Sequence, residues 1–580
     1  MNTKEGAGLK CLDPEKIIPI SRQSTEAFKT GTWSKVRPLF MEKTAPCRAA
    51  CPIGNDIPRA VYQASQGDYD RALAIFLQET PLPGVCGRVC YHPCQVPCNR
   101  VEVDGAVQVR ALERTAAELG SAEPLPLTEA GRGKPVAVVG AGPAGLAAAY
   151  HLGRMGHSVS LIEAADRPGG LLAQGIPPFR LPARELKRDL DRILSLPIQL
   201  QLNKPVDETL LSRLMADHQA VFLAMGADSH KALGIQGEDL EGVVHGIPFL
   251  RQAELQVMAR GADVAVIGGG NTAMDTARTA LRSGAKTVTV LYRRGRSEMP
   301  AFDDEVAEAE EEGITFRFLS GPVGFVGRDG RVKALRLIKN RLGTSGSDGR
   351  LRPEAIPGSE WELPCDLVII GAGQVPGQSA MLRDLQWEGG RVWIDESGRT
   401  SRNGLFAGGD LTPVRAAVVD AIASGKRAAV SIHMALTGKQ DRENILGITL
   451  GQGPGFSIEA LFNSPPRWKP EEVVGLDELD RLTANRKPPA DLPHRSGTER
   501  TASFDEVALS LNAEQAGQEA GRCFFCGTCV GCDRCYVFCP EGAIIPPEVE
   551  GGAYQANDVF CKGCGTCSSG CIRGVLETDH

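Results

Sequence analysis

VAVVGAGPAGLAAAYHLGRMGHSVSLIEA, residues 136–164, decides the fold. An apolar run of strand type enters Gly140-x-Gly142-x-x-Gly145, a helical pattern follows, and a second strand ends at Glu163. The first glycine permits a tight turn, the second lets backbone approach a pyrophosphate, and the third lets the helix lie on the strand. The helix N-terminus then faces the anion, and Glu163 is placed to accept a hydrogen bond from a ribose 2′-hydroxyl. Strand, turn, helix and acid together read as a dinucleotide-binding unit.

A second such unit follows in DVAVIGGGNTAMDTARTALRSGAKTVTVLYRRGRSEMP, residues 263–300, with Gly268, Gly270 and Ala273 at the fingerprint positions. Its second strand ends at Tyr292, and Arg293 and Arg294 stand where an acid would be. A carboxylate there would repel a 2′-phosphate, whereas a guanidinium binds one through two parallel hydrogen bonds. The second site therefore reads as NADP(H) over NAD(H), the other reading being that the arginines form a solvated basic patch. The first site is then the natural home of a flavin. Two further segments support FAD there: Arg167-Pro-Gly169-Gly170-Leu171, and Gly404-Leu-Phe-Ala-Gly408-Gly409-Asp410, a turn able to bring backbone and carboxylate to a ribityl chain.

Outward from these units, strand-like runs (VAVVG, SVSLIE, AVFLAMG, DVAVIG, TVTVLY, LVIIGAG) alternate with helical ones, as a parallel α/β sheet requires. The flavin domain is expected at 134–255 and 365–440, with the nucleotide domain inserted at 256–364. Residues 1–125 are expected as a helical, cysteine-bearing domain, with Asp56 to Gln78 apolar at helical spacing. A polar linker, SAEPLPLTEAGRGKP, ends it. Residues 441–515, with Pro pairs at 465–466 and 488–489, read as a surface wrap, and 516–580 as a ferredoxin-like module.

That module holds ten of the 18 cysteines. Cys523-x2-Cys526-x2-Cys529-x2-Cys532-x2-Cys535-x3-Cys539-Pro540 is answered by Cys561-x2-Cys564-x2-Cys567-x3-Cys571. In bacterial ferredoxins the fourth cysteine of each run serves the other run's cluster. On that rule Cys529, Cys532, Cys535 and Cys571 hold one [4Fe–4S] cluster, and Cys539, Cys561, Cys564 and Cys567 hold the other. Zinc would usually separate two C-x2-C pairs by a longer loop. Two details depart from the plain pattern: Ile572 replaces the proline after the last cysteine, and Cys523 and Cys526 are left over, either able to displace an assigned ligand.

Composition bounds the rest. With 580 residues and 42% apolar content there is room for three or four domains, and a net charge of −7 argues against nucleic acid as partner. The start, MNTKEGAGLKCLD, has no apolar leader, and no stretch of about 18 apolar residues occurs. No membrane span and a cytoplasmic, reducing compartment are expected, where clustered cysteines are metal ligands. Between Cys98 and Cys523 the one cysteine is Cys365, most simply a packing residue, so no dithiol is available for a thioredoxin-reductase-like reaction.

The segments GAGPAGLAAA, GGLLAQGIPPFRLP, FLAMGA, GGGNTAMD, YRR…EMPA, GAGQVP and LFAGGD, in this order, resemble the small (β) subunit of NADPH-dependent glutamate synthase, a module also found in dihydropyrimidine dehydrogenase and in electron-input subunits. The resemblance spans roughly residues 40 to 440. It implies FAD at Gly140, Gly142, Pro143, Ala144, Gly145, Glu163, Gly169, Gly170, Leu171, Arg180, Gly409 and Asp410. It implies NAD(P)H at Gly268, Gly270, Asn271, Thr272, Ala273, Arg293, Arg294 and Gly373. It also implies iron–sulfur clusters in the N-terminal domain, where Cys47-x3-Cys51-Pro52 and Cys86-x3-Cys90-x3-Cys94-x3-Cys98 occur. The family usually has another C-x2-C pair just before Cys47, and Lys43, Thr44 and Ala45 stand there instead. Carried over, Cys47, Cys51, Cys94 and Cys98 hold one cluster. Cys86 and Cys90 are then spare, alternative ligands, or part of a site completed by Cys11. Three clusters are expected in all.

The expected activity is an iron–sulfur flavoprotein NAD(P)H:acceptor oxidoreductase. Hydride passes from NADPH to FAD and single electrons leave through the clusters, reversibly in principle, with no protein acid or base assigned a catalytic part. Expected partners are a redox protein: sulfite reductase of the dissimilatory, DsrL-served kind, the glutamate synthase large subunit, a ferredoxin, or another anaerobic oxidoreductase. A homodimer is left open. Competing readings are a free-standing NADPH:ferredoxin oxidoreductase, a glutamate synthase small subunit, and a non-catalytic cluster scaffold.

Overall fold

The computed structural model describes residues 29–579 apart from 128–132, 347–348, 439–444, 446, 464–467, 480–485 and 549–552. Cys11 lies outside the described residues. A first five-stranded sheet is parallel throughout, in the order Leu405–Ala407, Ala220–Leu223, Val136–Val139, Val159–Ile162, Ile198–Gln201. Val136–Val139 and Ala220–Leu223 are buried along their whole length. The two faces divide by strand alternation: Val136 and Val138 pack with Leu146, Ala147 and Ile422 of flanking helices, whereas Ala137 and Val139 pack with Leu211, Leu214 and Leu382.

The second five-stranded sheet is also parallel, in the order Thr315–Arg317, Thr287–Leu291, Asp263–Ile267, Leu367–Ile370, Val243–His245. A separate antiparallel sheet follows, with Ser320–Arg328 and Trp361–Pro364 flanking the long strand Arg331–Ser345. The boundaries expected at 255/256 and 364/365 therefore need correcting. Both Val243–His245 and Leu367–Ile370 belong to the second sheet, so the second nucleotide unit starts before residue 243 and runs past 370. A buried parallel strand reads as the same apolar run in either sheet, so pairing and not composition assigns it.

In the N-terminal part, the apolar stretch 56–78 forms two helices, Ile57–Ser65 and Tyr69–Glu79. Asp56 and Asp68 cap them, each side chain accepting the backbone N–H three residues on. Pro83–Val89 and Val109–Leu119 complete a helical core around Phe76, Val85 and Leu112.

This part does not stand alone. Arg37–Phe40 pairs antiparallel with Leu576–Asp579, and Glu42–Thr44 pairs parallel with Trp468–Val473. Residues 37–40 thus add a strand to the C-terminal module, and residues 468–473 of the 441–515 segment pair with the strand that follows them. Within that module the short helices Arg534–Val537 and Thr566–Ser569 each carry a cysteine of a ladder. Among the described residues no helix is long and apolar enough to cross a membrane.

Candidate cofactor and cluster sites

At the end of strand Val136–Val139 the chain turns at Gly140, whose φ of 103° belongs to the region glycine favours. A Cβ on Gly145 would lie 1.8 Å from the Gly140 carbonyl oxygen, so helix and turn meet at a distance only glycine permits. Gly142 is the N-cap of helix Pro143–Arg154, with proline at the first helical position, where its missing N–H costs nothing. The carboxylate of Glu163 accepts the N–H groups of Ala141 at 2.7 Å and Ala165 at 2.8 Å, which fixes the acid against the glycine turn.

The other flavin segments converge on the same turn. Gly169 N–H donates to the Ala141 carbonyl at 2.8 Å, Gly170 lies against Gly142, and Leu171 begins the short helix after them. Gly409 sits over Ala144, with its N–H donating to Ser424 Oγ at 2.8 Å. Burial raises the Asp410 carboxyl against the pull of Arg391. Arg180 is engaged elsewhere. It is buried and bonded to Asp275 at 2.8 Å and Glu305 at 2.7 Å, tying the flavin domain to the helices of the second unit.

In the second unit Gly270 caps helix Asn271–Arg282, and Ala273 is buried beneath it. Asn271 Oδ1 accepts the N–H of Phe302 at 3.0 Å, holding the segment after Met299-Pro300 over the turn. Thr272 lies against Gly246, and Gly373 follows strand Leu367–Ile370. The two arginines separate. Arg293 is exposed at the end of strand Thr287–Leu291, while Arg294 is buried and donates to the Leu351 carbonyl at 2.8 Å. Of the two, Arg293 is the one whose side chain is open to solvent. Cys365 is buried with Ile267, Leu335 and Leu337, and burial pushes its thiol up to about 12.

The C-terminal thiols lie in two groups of four. Cys539, Cys561, Cys564 and Cys567 line one cleft of about 400 Å³. Cys529, Cys532, Cys535 and Cys571 line another of about 340 Å³, walled by Phe40 and Tyr554, whose rings stack 5.6 Å apart. Tetrahedral zinc would draw its thiolates to about 2.3 Å from one point. Among the described residues no three such side chains close on a single ion. Four thiols facing one cleft are the donor set that a [4Fe–4S] cluster takes.

The N-terminal thiols have further neighbours. Cys47 and Cys98, expected with Cys51 and Cys94, also have Cys523 and Cys526 beside them. Burial, then the neighbouring sulfurs of Cys98, Cys523 and Cys526, raise the Cys47 thiol, with Cys94 a weaker neighbour. Cys51 neighbours Cys90 and Cys94, each of whose thiols is raised first by burial. Glu113, buried with its carboxyl raised to about 8 by burial and Asp189, adds to the rise of the Cys51, Cys86, Cys90 and Cys94 thiols and accepts from Asn55 Nδ2. Cys86 is bonded to Thr80 Oγ1. Glu113 was not a sequence candidate, because a single acid inside a helix of amphipathic pattern carries no signal of its own.

Lys426 joins this region to the flavin domain. It lies on helix Val418–Thr437 and donates to Glu79 Oε2 and to the carbonyls of Ile53 and Phe456.

Comparisons with known proteins agree with this layout. Residues 134–425 match the pyridine nucleotide-disulphide oxidoreductase family, and residues 39–124 match dihydropyrimidine dehydrogenase domain II, 4Fe–4S cluster. The chain is 36% identical over 521 residues to the NADP(+)-dependent formate dehydrogenase subunit beta of Moorella thermoacetica, covering 83% of this chain and 70% of that one. It is 36% identical over 531 residues to the NADPH-Fe(3+) oxidoreductase subunit beta of Geobacter sulfurreducens, covering 84% and 76%. It is 36% identical over 413 residues to the glutamate synthase [NADPH] small chain of Escherichia coli, covering 67% and 87%.

Proposed function

We propose that this chain, which belongs to the pyridine nucleotide-disulphide oxidoreductase family with an N-terminal 4Fe–4S domain, is the electron-transfer subunit of an NADPH-dependent iron–sulfur flavoprotein oxidoreductase. The observation that carries the reading is the pair of four-thiol clefts at the far end of a chain with two intact dinucleotide folds. When bound, NADPH and FAD supply hydride chemistry and the clusters carry single electrons.

The residues divide that work. Gly140, Gly142 and Gly145 give a pyrophosphate close access to backbone N–H groups at the N-terminus of helix Pro143–Arg154, and Glu163 holds the turn in shape. Gly268, Gly270 and Ala273 repeat this arrangement, and Arg293 favours a 2′-phosphate. The Arg180 ion pairs to Asp275 and Glu305 orient the second unit against the first, which hydride transfer demands. A disulfide-reductase reaction does not fit, since the one cysteine between Cys98 and Cys523, Cys365, is buried away from the glycine turns.

The acceptor is a partner redox enzyme, such as dissimilatory sulfite reductase. The relatives' names, subunit beta and small chain, support assembly with a larger partner. Anaerobic titration with NADPH tests the reading. Flavin absorbance should bleach and reduced-cluster signals should appear together; a chain purified without flavin and iron, or one that NADPH leaves unchanged, overturns it. Co-purification from the native source identifies the partner.

A further inference from the structure

The C-terminal ladder begins with Cys523 and Cys526, which the two ferredoxin clefts do not use. In space these residues leave the ferredoxin module and dock on the N-terminal domain. The N–H of Lys43 donates to the Gly527 carbonyl at 2.9 Å, and Gly527 N–H donates to Arg573 at 2.7 Å. Cys526 and Phe524 are buried with Ala45, Val474 and Leu479, and Cys47 packs on the same group. Asn99, next to Cys98, points its Nδ2 at Cys526 Sγ, 3.5 Å away. Phe525, held at φ 52°, directs its N–H to Cys523 Sγ at 3.3 Å and packs its ring edge-on to Tyr62. Arg573 caps that ring at 4.6 Å and donates to the Phe524 carbonyl.

The C-x2-C of Cys523 and Cys526 is laid against Lys43 and Ala45, just before Cys47. We infer that Cys47 and Cys98 of the N-terminal domain and Cys523 and Cys526 of the C-terminal module together hold a further [4Fe–4S] cluster, which joins the two domains. The N–H···S and amide···S contacts are of the kind that tune a cluster's thiolates.

One ladder then serves three sites. Cys523 and Cys526 serve the interdomain cluster; Cys529, Cys532 and Cys535 the next; and Cys539 the last. Only two residues separate Cys526 from Cys529, so the first two clusters of that series are tethered within about 10 Å of chain. With the set around Cys51, Cys90 and Cys94 this makes four clusters.

The inference rests on the iron–sulfur reading above, and the experiment separates the two. Anaerobically reconstituted full-length chain should bind four clusters of four irons, about sixteen atoms per chain. Cys523→Ser with Cys526→Ser should lose about four irons and one electron-paramagnetic-resonance signal while keeping flavin stoichiometry and the remaining signals; Cys365→Ala should lose none. Flavin retention shows that the variant has folded. If that variant fails to fold, Mössbauer counting and thiol alkylation of the wild-type chain decide. About twelve irons with Cys523 and Cys526 recovered as free thiols or as a disulfide overturns the inference and leaves the function standing. A chain with neither iron nor flavin overturns both.

Discussion

Lys426 Nζ and Glu79 Oε2 lie 2.5 Å apart, with both side chains 1% exposed, and this pair links the closing helix of the flavin domain to the N-terminal cluster domain. Glu79 also accepts from Ser457 Oγ at 2.7 Å and the N–H of Ile458 at 3.0 Å, so three segments distant in sequence meet at one carboxylate. Burial lowers the lysine's affinity for its proton, and Glu79 opposes that effect. Breaking one side of such a pair leaves an uncompensated charge. Lys426→Met should therefore destabilise the chain by about 3–5 kcal/mol, and adding Glu79→Gln should recover part of the loss. Denaturation followed by flavin fluorescence checks this; equal loss in single and double variants would mean the lysine acts by packing alone.

Gly145→Val tests the flavin turn. With a Cβ only 1.8 Å from the Gly140 oxygen, helix and strand must part. Flavin occupancy should fall about tenfold or more, since 1.4 kcal/mol of strain already costs a factor of ten. The flavin-to-protein ratio after purification measures it, and full occupancy would place the flavin elsewhere.

The two arginines should behave differently. Arg293→Ala removes an exposed guanidinium, and a charge-assisted hydrogen bond is worth about 1.5–3 kcal/mol, so KM for NADPH should rise about 10–100-fold with little change for NADH. Arg294→Ala removes a buried donor to the Leu351 carbonyl and should lower stability more than it shifts nucleotide preference. Steady-state kinetics with both nucleotides distinguishes the roles, and an unchanged NADPH/NADH ratio in Arg293→Ala rejects the phosphate assignment.

Cys535→Ala and Cys567→Ala each strip one thiol from a C-terminal cleft. Rapid mixing with NADPH should bleach the flavin at the wild-type rate, while reduction of a protein acceptor falls about tenfold or more because the exit is lost. Slower bleaching would mean that these sites also shape the nucleotide end.

His151 gives a pH dependence. Burial, then Arg154 and Lys426, depress its pKa well below the ordinary value. Below about pH 6.5 the unfolded chain takes up a proton that the folded chain refuses, so stability falls as pH drops, by up to about 1.4 kcal/mol per pH unit for this group. His151→Gln should flatten the decline of the unfolding midpoint between about pH 6.5 and 5.5; an unaltered slope assigns the decline to other groups.

Both glycine fingerprints and the spacing of the C-terminal cysteines were legible in the sequence. Each is a local pattern: a turn of fixed backbone shape, a strand ending in an acid or an arginine, a spacing of two or three residues. Within these patterns the tertiary structure still chose between neighbours, leaving Arg293 exposed and turning Arg294 inward. Nothing local in LVII at 367–370 says which of two apolar sheets it will join, and hydrogen-bond register with Asp263–Ile267 settled that.

The sequence by itself determined that this chain carries two nucleotide folds and a cysteine ladder, because those depend on residues adjacent along the chain. Only the tertiary structure decided how the cysteines are shared. Pairing of Arg37–Phe40 with Leu576–Asp579 joins the N-terminal domain to the C-terminal module, and brings Cys47 and Cys98 to Cys523 and Cys526. Cluster ligands are chosen by proximity in space, and that proximity comes from strand pairing and burial across hundreds of residues, which no spacing rule encodes.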